Sequence, residues 1–148
     1  MYPYLVLIHI LSAVTALCAI IGYPIIMSGV RTAGQARFGL TLQKKMAILP
    51  MIGGTLLLLS GLALGVLEPD LFRQLWYGLS IVVFFVILLI LAVLIPAGVK
   101  RQLEHLAIAG GDALPEAYLQ SRRRSAWLEG AANLAALVSI LLMVFKPM

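Results

Sequence analysis

Four stretches of this chain carry almost no charge, and they decide what it can fold into. Residues 1–30 contain no Asp, Glu, Lys or Arg. Residues 46–67 form a second uncharged run and residues 74–99 a third. A fourth, 125–145, is interrupted only by Glu129. Each is longer than the roughly 20 residues a helix needs to cross the hydrocarbon core of a bilayer. In lipid a backbone must satisfy its own hydrogen bonds, so the runs are helices. The chain is 62% hydrophobic and 11% charged, whereas a soluble domain carries about 25% charged residues. The expected fold is one all-α domain, residues 1–148, a bundle of four transmembrane helices at about 4–30, 44–66, 74–101 and 124–146. The first run lacks the basic leader of a secretory signal and exceeds the length of its apolar segment, so it reads as a membrane helix.

Charge between the runs sets the orientation. Arg31, Arg37, Lys44 and Lys45 lie between the first two, and Lys100, Arg101, Arg122, Arg123 and Arg124 between the last two. Together they are nine of the eleven basic residues. By the positive-inside rule both basic loops are cytoplasmic and both termini are outside. Lipid is therefore the expected partner. The net charge of +5 reflects this bias and does not indicate nucleic acid. Trp76, Tyr77, Tyr2 and Tyr4 then fall at the outer interface and Trp127 at the inner one. The "AGGDALP" segment predicts a Gly–Gly turn, followed by a short amphipathic helix from Glu116 to Arg124 that begins after Pro115.

The single cysteine, Cys18, excludes an internal disulfide and a Cys-based zinc site. No Gly-rich phosphate loop, nucleophile elbow or catalytically spaced carboxylate pair is present, so a soluble-type enzyme mechanism has no residues to use. The methionines do not cluster as a copper relay would require. His105, beside Glu104 in the connector, reads as a solvated residue.

Four polar or small-residue features remain. On helix 1, the positions within about 60° of His9 include Ser12, Ala13, Ala16, Ile20 and Tyr23, a small and polar stripe that faces the bundle. His9 is either an interior histidine hydrogen-bonded to a neighbour or a ligand whose neutral imidazole can meet a metal or haem iron. Gly61 and Gly65 form a GxxxG pair, and Ala126 and Gly130 a small-residue pair, both candidate helix contacts. Glu129 and Asn133, four apart on one helix face, are the intramembrane polar residues. Glu129 is a proton or substrate site, or it is paired with Arg123, Arg124 or Lys45. Pro24, Pro50 and Pro96 fall near the cytoplasmic ends of their helices. There they either splay the bundle or are absorbed locally.

"LIHILSAVTALCAIIGYPII", "KKMAILPMIGGTLLLLSGLALG" and the ending "NLAALVSILLMVFKPM" resemble the first, second and last helices of a bacterial family of predicted four-helix integral membrane proteins of unassigned function. More distantly the chain is similar to the HemJ-type protoporphyrinogen oxidases and to the CopD-type copper-resistance membrane domains. The HemJ likeness implies haem b held by His9, with Met143 a candidate second ligand at the same depth. It also implies a Lys and a His that fall here at Ser80 and Gly78. Three functional expectations follow: a tetrapyrrole-binding protein using His9, a non-catalytic accessory or self-associating subunit (homo-oligomer or larger membrane complex) packed through its glycine faces, and a proton-linked carrier using Glu129 and Asn133.

Overall fold

The computed structural model describes residues 2–146. Its elements are α1 (Tyr2–Ser28), α2 (Ala33–Met46), α3 (Ile48–Leu67), a 3-10 turn (Pro69–Arg73), α4 (Leu75–Leu89), a π turn (Ile90–Leu94), α5 (Ile95–Ile108) and α6 (Glu116–Phe145). They make four rods, α1, α2–α3, α4–α5 and α6, each long and apolar enough to cross a membrane. The fold is all-α, with no strand among the described residues.

The rods outrun the bilayer. Ala33–Leu67 has 35 residues, about 52 Å at 1.5 Å per residue, against a hydrocarbon core of about 30 Å. The surplus lies at the basic end, where segments expected as loops are helical. Residues 33–46 form α2 because the Thr32 side chain accepts the Gln35 N–H at its start and Lys44 and Lys45 complement its last turn. Its buried positions, Ala33, Ala36, Leu40 and Gln43, recur every three or four residues. Residues 116–124 are not a separate amphipathic helix but the first turns of α6, which runs unbroken into the membrane. α5 continues past Lys100 and Arg101 to Ile108, and Gly110 at φ 61° turns the chain out of it. The Ala33 N–H bonds the Asp112 carbonyl at 2.9 Å and Arg37 donates to the Leu106 carbonyl at 2.7 Å, tying both basic connectors together. The buried apolar core, including Ile20, Tyr23, Leu40, Val99 and Leu106, lies in this half.

The prolines do not splay the bundle. Pro50 is in the first turn of α3, where little is lost. Pro96 follows the π turn, in which the Ile95 N–H reaches back five residues to Ile90 and takes up the distortion. Pro24 has no N–H to offer the Ile20 carbonyl four residues earlier. Asn133 on α6 supplies the missing donor, its Nδ2 lying 3.2 Å from that carbonyl. Asn133→Leu is therefore expected to cost about 1–2 kcal/mol, near the upper end for membrane hydrogen bonds. Pro24→Ala should restore the helical donor, so the leucine variant costs less in that background. Thermal unfolding of the four proteins in detergent reads the coupling.

α1 and α3 make the closest helix pair. A Cβ on Gly53 would lie 2.9 Å from both the Ala16 nitrogen and the Ser12 carbonyl oxygen. The backbones themselves meet there, which only glycine permits.

Candidate functional site

At the end bearing both termini, α1, α3, α4 and α6 surround a cavity of about 190 Å³. His9, Gly61, Trp76, Tyr77, Phe84 and Met143 are among its lining residues, and Lys146 stands at its edge. His9 enters from the small polar stripe of α1, whose Ser12, Ala16, Ile20 and Tyr23 are all buried. Its Nδ1 lies 3.0 Å from the Ser60 hydroxyl. That hydroxyl has one proton, and it lies 2.7 Å from the Leu56 carbonyl, to which it donates. Ser60 therefore accepts from His9, which places the imidazole proton on Nδ1. That tautomer leaves the lone pair on Nε2.

Gly61 and Gly65 are not a backbone contact. A Cβ on Gly61 would lie 3.3 Å from His9 Cε1, so this glycine gives the imidazole its seat. A Cβ on Gly65 would collide with the Tyr77 hydroxyl and come 2.8 Å from Phe72 Cζ. Tyr77 donates to the Gly61 carbonyl at 3.0 Å and is met edge-on by Phe72 and by Trp76, at centroid distances of 5.2 and 5.9 Å. Trp76 donates its indole N–H to Gln74, and the Lys146 ammonium lies 5.7 Å from its ring centre. Trp76 and Tyr77 thus line the cavity with their own polar groups already engaged. Ser80, expected to fall where the HemJ likeness implies a lysine, lines the cavity but donates to the Trp76 carbonyl at 2.8 Å. Gly78 has open space around it. Met143, expected opposite His9, does lie on the same cavity and is 36% exposed. Cys18 is exposed elsewhere on α1.

A second polar group lies near the basic end. Glu129 is 1% exposed, yet its carboxylate is fully engaged. Arg122 grips it with two parallel bonds, Nη1 to Oε1 at 2.9 Å and Nη2 to Oε2 at 3.0 Å. Gln43 of α2 donates to Oε1 at 3.1 Å. The partner is thus Arg122, not Arg123, Arg124 or Lys45. Seven residues are about two helical turns, which returns Arg122 to the Glu129 face, while its two neighbours point away. Asn133 shares that face, and its amide goes to the Ile20 and Glu129 carbonyls. One turn back, Ser125 accepts from Gln102 of α5 at 2.9 Å. Ala126 and Gly130, read as packing residues, are exposed, and nothing lies within 4 Å of a Cβ on Gly130. The face of α6 that does pack is Ser125, Glu129, Ala132 and Ala136. Gln43 and Gln102 were not singled out from the sequence. The available signal was their position, each a polar residue on an otherwise apolar stripe.

Four lipid-length rods, a lipid-facing exterior and a polar clasp at the basic end define an integral membrane protein of the four-helix kind. The chain belongs to the DUF2269 family of predicted integral membrane proteins, whose family model matches residues 3–147. No curated protein and no solved structure matches the chain, so no comparison supports the expected likeness to the HemJ and CopD groups.

Proposed function

We propose that the protein binds the ring of a small, lipid-soluble aromatic alcohol in the His9 cavity, with His9 Nε2 accepting the ring hydroxyl. The observation that carries this reading is a free imidazole acceptor in an apolar, aromatic-lined space of about 190 Å³. A cavity of about 150 Å³ takes benzene, so one substituted ring matches the volume and its alkyl tail belongs in lipid. His9 Nε2 and Met143 would also suit haem iron as donors. A tetrapyrrole, however, exceeds this space, which is below the roughly 300–1,000 Å³ of sites for drug-sized ligands. The role is binding: no Asp or Glu lines the cavity among the described residues. The bias of its nine cations supports reading the basic end as the cytoplasmic one, and the membrane we propose is a bacterial inner membrane. The cavity then opens near the outer leaflet. A carrier reading is disfavoured by the engagement of both Glu129 and Asn133. A self-associating subunit would have to use the exposed Ala126 and Gly130, because Gly61 and Gly65 are filled by the chain's own side chains.

Calorimetric titration of the detergent-purified protein with 4-hexylphenol tests the proposal. The phenol should bind, and both its methyl ether and the His9→Ala protein should show about tenfold weaker binding, the worth of one hydrogen bond. Equal affinity for phenol and ether would remove the role assigned to His9. A Soret band after haem reconstitution that disappears in His9→Ala would replace the single ring with a tetrapyrrole.

A further inference from the structure

The outward face of α6 at the basic end has a composition unlike the rest of the molecule. Arg123 and Arg124 are exposed. The one ion pair among the described residues is Arg122–Glu129, so the charge of the two following arginines is not neutralised within the chain. Trp127, one turn further into the membrane, is 81% exposed. Beyond it Gly130 leaves a notch in the helix surface, with nothing within 4 Å of where a Cβ would stand. Leu134, 64% exposed, continues the same face into lipid. At 100° per residue Arg123, Trp127 and Gly130 fall within about 60° of arc, and Arg123 and Gly130 are about 10 Å apart along the axis.

We propose that this face, Arg123 and Arg124 with Trp127 and the Gly130 notch, binds one anionic phospholipid of the cytoplasmic leaflet. The argument is charge complementarity at a fixed depth. The apolar part of α6 begins at Ser125, so the two guanidinium groups stand at the level of lipid phosphates. Arginine suits phosphate because its planar fork makes paired, charge-assisted hydrogen bonds. An exposed indole at the interface packs against the glycerol region, and the open glycine lets an acyl chain approach the helix backbone. No carboxylate competes on this face near the arginines. Glu129 is buried and held by Arg122, and Glu116 lies about two turns toward the cytoplasm.

Native mass spectrometry of the intact protein tests this with phosphatidylglycerol and phosphatidylcholine of identical chains. One phosphatidylglycerol should be retained in preference to phosphatidylcholine. Each arginine near an anionic surface is worth about fivefold in affinity, so Arg123→Gln/Arg124→Gln should lose more than tenfold while its melting temperature in phosphatidylcholine stays unchanged. Lys100→Gln/Arg101→Gln removes the same charge from exposed positions on α5 and should keep the preference. Equal retention of the two lipids overturns the proposal. So does an equal loss in the α5 variant, which would mean bulk charge without a site. Binding of inorganic phosphate as tightly as of the lipid would make this a free-anion site and also overturn it.

Discussion

Arg122→Met is expected to lower stability by about 3–5 kcal/mol, the cost of leaving a buried charge without its partner. The converse change, Glu129→Gln, should cost less, about 1–2 kcal/mol. The asymmetry follows from burial. The Glu129 side chain is 1% exposed, whereas Arg122 is 17% exposed and can turn to water at the basic end on its long stem. A glutamine at 129 also keeps an oxygen for Gln43, whose amide lies 3.1 Å from the carboxylate. Arg122→Met/Glu129→Gln should recover much of the loss of Arg122→Met, because no unpaired charge is left behind. Unfolding of the four proteins in mixed detergent micelles gives the coupling energy. Equal costs for the two single variants would mean that the carboxylate reaches water by another path. Loss of a measured transport activity in Glu129→Gln, with the fold intact, would assign the carboxylate a carrier role that its pairing argues against.

Gly53→Leu should be at least as damaging, because no rotamer relieves it. A Cβ at that position already falls 2.9 Å from two backbone atoms of α1, and backbone cannot turn aside as a side chain can. The α1–α3 crossing must open, and the contacts above and below it loosen together. Overpacking a well-packed site costs typically 1–3 kcal/mol, and a leucine driven into backbone belongs above that range. Gly53→Ala tests the lower bound and Gly54→Ala is the control, since a Cβ on the neighbouring buried Gly54 would meet nothing within 4 Å. The expected readout is a lower melting temperature for both Gly53 variants and little change for Gly54→Ala. If Gly54→Ala proved as harmful as Gly53→Ala, the close approach would lie on a different face of α3.

The four spans were legible because lipid enforces them: an uncharged run of more than about 20 residues has one solution. The helical ends beyond the bilayer were not. Residues 33–46 look like a charged loop, and their helicity rests on a cap at Thr32 and on the burial of Ala36, Leu40 and Gln43 against other segments. That omission carried into the site. With the last helix read as beginning at residue 124, Arg122 lay off the helix that bears Glu129, and the nearer arginines were taken as its partners. Once α6 is continuous from Glu116, the seven-residue spacing makes Arg122 the geometric choice. His9 was placed correctly on the interior stripe by helical period alone. The seat that Gly61 offers its ring was not foreseeable, because a GxxxG pair looks the same whether it admits a neighbouring backbone or a side chain from elsewhere in the chain.

The bond between Asn133 and the Ile20 carbonyl has a consequence for biogenesis. The acceptor is made with the first helix and the donor with the last, 113 residues later. At about 5–20 residues per second, the first helix waits on the order of 10 s with a polar gap in its wall. It cannot become a finished lipid-facing rod during that time. It must stay beside the insertion machinery, or among the intervening helices, until α6 arrives. α6, made after the other three rods, is thus the one that completes α1.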